Sequence, residues 1–260
     1  MTTPYDDEFF DEITAEATAS ASVVARRLID LVAPSSVVDI GCGRGAWLAA
    51  FVAEGVDDVV GIDGDYHEPA QRLLRDDQFV AADLASPPTL PRSFDLAICL
   101  EVIEHLDAAA GDHLVEYLTS LAPAVAFSAA VPGQGGVHHV NEQWPGYWHE
   151  RFMARGYHCF DVLRAPLWSH PSVSFWYAQN LLLYVRDTHP VPEALTEAPA
   201  LTADAGGAPL ALVHPELLRR TAALAGGPRP PASFQSLVRA LPSAATSAAR
   251  RVIADRRRSP

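Results

Sequence analysis

The sequence predicts an α/β fold: a seven-stranded, mostly parallel sheet with helices on both faces and an antiparallel hairpin at one edge. Three observations carry this expectation. From Val37 to Arg186 short apolar runs alternate with amphipathic stretches, the pattern of a parallel sheet covered by helices. The stretch VVDIGCGRG, Val37 to Gly45, breaks a β-branched run into a turn with glycines at alternate positions, and the apolar run Ala46 to Ala53 follows. A buried strand therefore passes through a tight loop into a helix. Finally, the last two apolar runs are separated only by WSHPSVSFW, which fits an antiparallel pair at the sheet edge.

Taken in order, Asp6 to Val32 sets Phe9, Phe10, Ile13, Val23, Val24, Leu28 and Leu31 among acids and alanines. It reads as one or two helices, with residues 1–34 a lid or cap over the ligand edge of the sheet, and Tyr5, Phe9 and Phe10 placed to cover a bound cofactor. Strands are expected at Val37–Ile40, Val59–Asp63, Gln78–Ala81, Phe94–Leu100, Val125–Val131, Tyr157–Leu163 and Ala178–Val185. Helices are expected at Ala46–Ala53, Ala70–Arg75, Ala108–Leu121 and Gln143–Arg155, with Pro145 in the first turn of the last, where its missing N–H costs little. These elements make residues 35–187 the central domain. Residues 188–260 turn rich in proline, alanine and glycine and read as linker plus appendage. The basic end, SAARRVIADRRRSP, reads as solvated chain.

A chain of 260 residues with 49% hydrophobic content can bury one substantial core. Its formal net charge is -13, and the 19 basic residues are all arginine, so general attraction to nucleic-acid phosphates is not expected. Cys42, Cys99 and Cys159 show no C-x-x-C spacing, which argues against a zinc ribbon or disulfide framework and for a reducing compartment. The acidic N-terminus does not resemble a signal peptide, and no apolar run approaches the roughly 20 residues of a membrane span. A cytoplasmic protein with no membrane partner is expected. The sequence leaves the oligomeric state open.

The glycine turn admits several cofactors. Gly41-x-Gly43-x-x-Ala46 satisfies the relaxed dinucleotide fingerprint, with Asp63 at about the right distance for a ribose-binding acid. A Walker phosphate loop is excluded, because no Gly-Lys-[Ser/Thr] follows and the chain has no lysine. Asp39, two residues before the first glycine, separates the remaining choices. Its carboxylate would repel a pyrophosphate at that loop, whereas it suits a cofactor carrying an amino group and a sulfonium.

Here the sequence resembles the class I S-adenosylmethionine-dependent methyltransferases, over roughly Val37 to Arg186. The acid before G-x-G-x-G matches Asp39-Ile40-Gly41-Cys42-Gly43-Arg44-Gly45. GIDGDY matches the second motif, FVAADL the third and FDLAICLEVIEHL the fourth. The resemblance implies a Rossmann-like fold and S-adenosyl-L-methionine as cofactor. It places Asp39, Gly41, Cys42, Gly43 and Gly45 at the turn, Asp63 and Gly64 at the ribose, Asp83 and Leu84 at the adenine and Glu101 near the methionine end. Each acid also has a plainer use, since Asp commonly caps turns.

Methyl transfer from a sulfonium is an in-line displacement, so the protein mainly aligns the acceptor and, for a hydroxyl, helps remove its proton. Glu101-Val102-Ile103-Glu104-His105 follows the fourth strand, and GQGGVHHVNEQWPGYW follows the fifth. Parallel-sheet geometry brings those strand ends together. His139 and His105 are the candidate catalytic bases. With Glu101 and Glu104 the same histidines are candidate ligands of a divalent metal ion. The arrangement resembles E-x-x-E-H with a distant histidine in the small-RNA ribose and the ubiquinone-pathway O-methyltransferases. The same residues could instead cap the next helix. Trp144, Tyr147, Trp148 and Phe152 form an aromatic stripe that reads either as core or as a pocket wall for a flat or sugar-like acceptor. The expected function is S-adenosylmethionine-dependent methylation of a small molecule, on a hydroxyl of a sugar, glycan or secondary metabolite. The alternatives are metal-assisted methylation of a vicinal diol, RNA ribose included, a NAD-binding oxidoreductase, and a non-catalytic cofactor-binding protein.

Overall fold

A computed structural model describes residues 7–66, 69–201 and 207–224, with side chains from residue 14 onward. Its centre is a seven-stranded sheet: β1 Ser36–Ile40, β2 Asp58–Asp63, β3 Phe79–Ala81, β4 Leu96–Leu100, β5 Ala124–Ser128, β6 Tyr157–Phe160 and β7 Leu182–Arg186, in the order β3-β2-β1-β4-β5-β7-β6. The pairs from β3 through to β5 are parallel. β7 runs antiparallel to both β5 and β6, so the expected hairpin lies at the β6 edge. The chain winds outward from β1 to β3 and then returns to the other side of β1 through β4. This reversal opens a crevice at the carboxyl ends of β1 and β4, the place where open α/β sheets bind ligands.

Alternate residues of each strand feed opposite faces. On one face Val37, Leu96, Ile98, Leu183 and Val185 pack with Ala21, Val24, Ala25 and Leu28 of α1 (Asp7–Val32) and with Trp47, Leu48 and Phe51 of α2 (Ala46–Ala53). On the other, Val38, Ile40, Cys99, Val125 and Tyr184 meet Leu114, Val115 and Leu118 of α3 (Ala108–Leu121) and Trp148 and Phe152 of α4 (Pro145–Met153). Trp148 and Phe152 are thus core, while Trp144, the residue before α4, stays exposed. Each large apolar side chain buried this way contributes about 1.5–3 kcal/mol. Asp107 caps α3 by accepting from the Ala110 amide at 2.9 Å.

The N-terminal segment is one 26-residue helix. Its described part lies on the sheet face beside α2, pinned by Ser20, whose hydroxyl accepts from the Ser174 amide at 3.0 Å. Tyr5 and the side chains of Phe9 and Phe10 lie outside the described residues. Two expected elements differ. Ala70–Arg75 is no α-helix: only a 3₁₀ turn, Pro69–Gln71, forms. The Leu73 amide donates to the Arg44 carbonyl at 2.7 Å, and Leu74 packs over Gly45, so the segment is drawn onto the glycine turn. The connection from β6 to β7 is not a bare loop either. It holds α5 (Arg164–Leu167) and α6 (Phe175–Asn180), and β7 begins only at Leu182, because Gln179 and Asn180 turn into a polar network.

Residues 189–201 and 207–214, which composition reads as linker, run along the domain. Leu195 is buried in the same core as α1, and the Leu201 amide donates to the Cys159 carbonyl at 2.8 Å. The buried Arg164 guanidinium donates to the Leu210 carbonyl at 2.8 Å, and the His214 amide to Gln179 Oε1 at 2.7 Å. Ending the chain at Thr188 is expected to cost at least about 2 kcal/mol relative to ending it after His214, since it exposes the Leu195 site and removes an acceptor from a buried cation. Thermal melts of the two truncations check this; equal melting temperatures would mean that the segment contributes nothing. The compact unit ends at His214, and α7 (Pro215–Leu224) begins the second. Among the described residues no helix is long and apolar enough to cross a membrane.

Candidate functional site

β1 delivers Asp39 to the crevice. It is 1% exposed, and its Oδ2 has no hydrogen-bond partner among the described residues. The turn that follows needs glycine. Gly41 sits at φ 83°, and a Cβ there would stand 2.3 Å from Val102 Cγ2; Gly45, at φ 88°, would meet Leu74 Cγ at 2.4 Å. Gly43, at φ 53°, has open space where its Cβ would be. Cys42 folds its thiol back onto β2, where a Cβ on Gly61 would lie 2.6 Å from Sγ. Burial, with the charges of Asp39 and Asp63 behind it, pushes that thiol far above its usual range, so Cys42 offers the crevice backbone alone.

Asp63 closes β2. Its Oδ2 accepts from the Gly43 amide at 2.6 Å, and its Oδ1 from the Gly64 amide at 2.7 Å and from the Tyr66 hydroxyl. Asp39 and Asp63 therefore face one turn from adjacent strands. Burial first, and the neighbouring Asp63 second, hold the Asp39 carboxyl well above the usual carboxylate range. The folded state thus favours protonated Asp39, and this contribution is full below the unfolded pKa of about 3.9 and is lost as pH rises through the folded value. Asp39→Asn is accordingly expected to raise thermal stability at neutral pH by about 1–3 kcal/mol, with the gap to the parent widening as pH rises from the unfolded pKa of about 3.9 towards the folded value. Melts of both proteins across that range check it, and a gap that shrinks with pH would contradict the assignment.

Further along the crevice the third expected acid, Asp83, is exposed and accepts from the Ala85 amide at 2.9 Å, a turn contact; Leu84 packs against the second core. Glu101 follows β4 at φ 56°, a left-handed backbone that a non-glycine residue seldom adopts. Its carboxylate accepts from Gln134 Nε2 at 2.6 Å and Asn180 Nδ2 at 3.1 Å. Burial raises its pKa, opposed by the hydrogen bonds from Asn180 and Gln134.

Glu104 points elsewhere. It is 0% exposed, and neither carboxylate oxygen has a hydrogen-bond partner among the described residues. Burial and then the charge of Glu101 drive its pKa well above the usual value. Ligand atoms of Glu104, His105 and His139 all lie within 4.8 Å of one another, and the two imidazoles meet edge to face with centroids 4.9 Å apart. Partial burial, then His139, lowers the His105 pKa and favours the neutral ring. The structure thus gathers three of the four expected metal ligands and sends Glu101 to the two amides instead. His139 Nδ1 lies 3.0 Å from Glu142 Oε1. His138 is exposed, at φ 59°.

A methyltransferase-domain family matches residues 14–163. The chain belongs to this methyltransferase family. None of the curated proteins compared matches the sequence. Among solved structures the methyltransferase is similar to DesVI of Streptomyces venezuelae, at 15% identity and TM-score 0.54 over 71% of this chain and 100% of that one. It is also similar to CalS10, an amino pentose methyltransferase from Micromonospora echinaspora involved in calicheamicin biosynthesis, at 15% identity and TM-score 0.50 over 72% and 99%. At these identities the likeness establishes the shared fold. In the methyltransferase chain the residues that sequence reasoning missed are Gln134, Asn180 and Glu142. Gln134 and Glu142 stand inside the quoted run GQGGVHHVNEQW, but nothing in its spacing assigns partners to them. Asn180 was hidden within an expected strand.

Proposed function

We propose that this methyltransferase transfers the methyl group of S-adenosylmethionine to an oxygen of a small-molecule acceptor, a hydroxyl of a sugar, glycan or secondary metabolite. The observation that carries the reading is the buried Asp39 carboxylate with an unpartnered oxygen at the mouth of the glycine turn, a group that a cationic ligand would satisfy and a pyrophosphate would not. When bound, the cofactor supplies an electrophilic methyl on a sulfonium leaving group. Asp39 and the bare backbone of Gly41, Cys42, Gly43 and Gly45 bind its amino-acid end together with Glu101. Asp63 and Gly64 bind the ribose hydroxyls, and Asp83 and Leu84 the adenine. His139, or His105 beside it, takes the proton from the acceptor hydroxyl. The sugar acceptor is supported by the description of CalS10, which is a structure with S-adenosylmethionine bound.

A second reading has a specific observation behind it. Glu104, buried and unpartnered, with His105 and His139 within 4.8 Å, forms a donor set that fits a divalent cation. A cation there would chelate a vicinal diol and lower the hydroxyl pKa. Turnover with isotopically methyl-labelled S-adenosylmethionine, against sugars and cell extract with and without chelator, tests both readings. Label in a small molecule is expected. Failure to bind S-adenosylmethionine by calorimetry, or preferential binding of NAD, would overturn the first reading, and full transfer in chelator would remove the second.

A further inference from the structure

We infer that Glu142 is a positioning residue that fixes the tautomer and orientation of His139. The inference deepens the proposed function and rests on it for the role of His139, although the pairing itself does not. The two side chains are 13% and 21% exposed, with Nδ1 and Oε1 3.0 Å apart. The carboxylate is itself fixed by the loop between them and β5. Its Oε2 accepts from the Gly133 amide at 2.7 Å, and its Oε1 from the Gly135 amide at 3.1 Å. Charge-assisted bonds from two backbone amides leave the carboxylate little freedom.

The chemistry follows from the donor inventory. An ionised carboxylate only accepts, so a neutral His139 must carry its hydrogen on Nδ1, and Nε2 keeps the lone pair. A free neutral nitrogen is what proton abstraction needs and equally what ligation of a cation needs, so this tautomer leaves Nε2 competent for either reading of the site. The loop is shaped for the ring as well. A Cβ on Gly136 would stand 2.2 Å from His139 Nε2, so the imidazole occupies space that only glycine leaves there. The neighbouring His138, exposed at φ 59°, belongs to the same sharp turn. The sequence H-V-N-E therefore places a histidine and the acid that orients it three residues apart, with the acid's other contacts drawn from the glycines upstream.

The test reads the tautomer directly in the full-length protein, by long-range proton–nitrogen spectra of the histidine rings at a pH well above the histidine range, with His139 assigned through His139→Gln. Wild type is expected to show a protonated Nδ1 and an unprotonated Nε2. Glu142→Ala should lose that preference, while Glu142→Gln, whose carbonyl oxygen still accepts, should keep it. In the labelled-cofactor assay with cell extract, Glu142→Ala should lower the initial rate about 10–100-fold, and Glu142→Gln should largely restore it; a merely structural role would not track the tautomer in this way. A wild-type ring protonated on Nε2, or a tautomer indifferent to Glu142→Ala, overturns the inference even if the alanine variant folds poorly, since the first result needs no variant of Glu142. Calorimetry with S-adenosylmethionine separates the two levels. Absent binding with the Nδ1–H tautomer intact refutes the functional reading alone, and normal binding with the wrong tautomer refutes the role of Glu142 alone.

Discussion

Asp63→Ala is expected to weaken S-adenosylmethionine binding about 100-fold while lowering the stability of the unliganded protein far less. The carboxylate closes β2 at 5% exposure and sits where the proposed ribose would lie. Hydrogen bonds to a charged group contribute about 1.5–3 kcal/mol each, so losing a pair to a ribose costs roughly two orders of magnitude or more in affinity. The unliganded protein loses contacts too, because Asp63 accepts from the Gly43 and Gly64 amides and the Tyr66 hydroxyl. The Gly43 amide lies on an open turn and can turn to water, which limits that cost. Calorimetry and thermal melts read the two effects apart. Unchanged affinity would remove Asp63 from the cofactor site, and a loss of stability as large as the loss of binding would make its role architectural. Tyr66→Phe is the companion measurement, since it removes one donor to the same oxygen and leaves the carboxylate in place.

The sheet was legible because each strand carries its own signal. Val37 and Val38 feed opposite cores, and runs such as Leu96 to Leu100 are apolar on both sides, as buried parallel strands must be. What the sequence hid was tertiary in origin. Ala70 to Arg75 has helical composition but is captured by the Arg44 carbonyl and the space above Gly45. The proline-rich residues after Thr188 look like linker, yet the burial of Leu195 and bonds at Leu201, Leu210 and His214 hold them to the domain. At the site, Asp39 and Asp63 were readable because a strand end fixes where an acid goes. Glu101 was expected both at the methionine end of the cofactor and with Glu104 in a shared ligand set, and a spacing of three does not choose between the two. The left-handed backbone at Glu101 turns that carboxylate toward Gln134 and Asn180 and leaves Glu104 alone with the histidines. No sequence rule marks a glutamate for that conformation, which among non-glycine residues favours Asn, Asp and His.

Glu104→Gln separates the two readings of the acceptor side: it is expected to make the protein more stable, and less active only if the cluster holds a cation. The native carboxyl is fully buried without a good partner, and burial together with Glu101 holds its pKa well above the usual value. A raised folded pKa means that the folded state binds the extra proton, so this contribution is complete below the unfolded pKa of about 4.3 and is lost as pH rises through the folded value. At neutral pH an amide of the same shape avoids that loss and should raise stability by about 1–3 kcal/mol, or roughly 2–4 °C per kcal/mol for a domain of this size. If the cluster holds a divalent cation, the same change removes a charged ligand. Methyl transfer should then fall by about 100-fold or more, and added Mg²⁺, Mn²⁺ or Zn²⁺ should raise the melting temperature of the parent but not of the variant. Without a cation the variant keeps most of its activity, because the proton is taken by an imidazole and not by Glu104. A stabilised variant that is fully active, in a protein indifferent to added cation and to chelator, would assign Glu104 to the cost of burying the strand end and leave His139 as the group on which transfer depends. A destabilised variant would show instead that the buried carboxyl is satisfied in solution, and that the amide introduces a donor the pocket cannot accept.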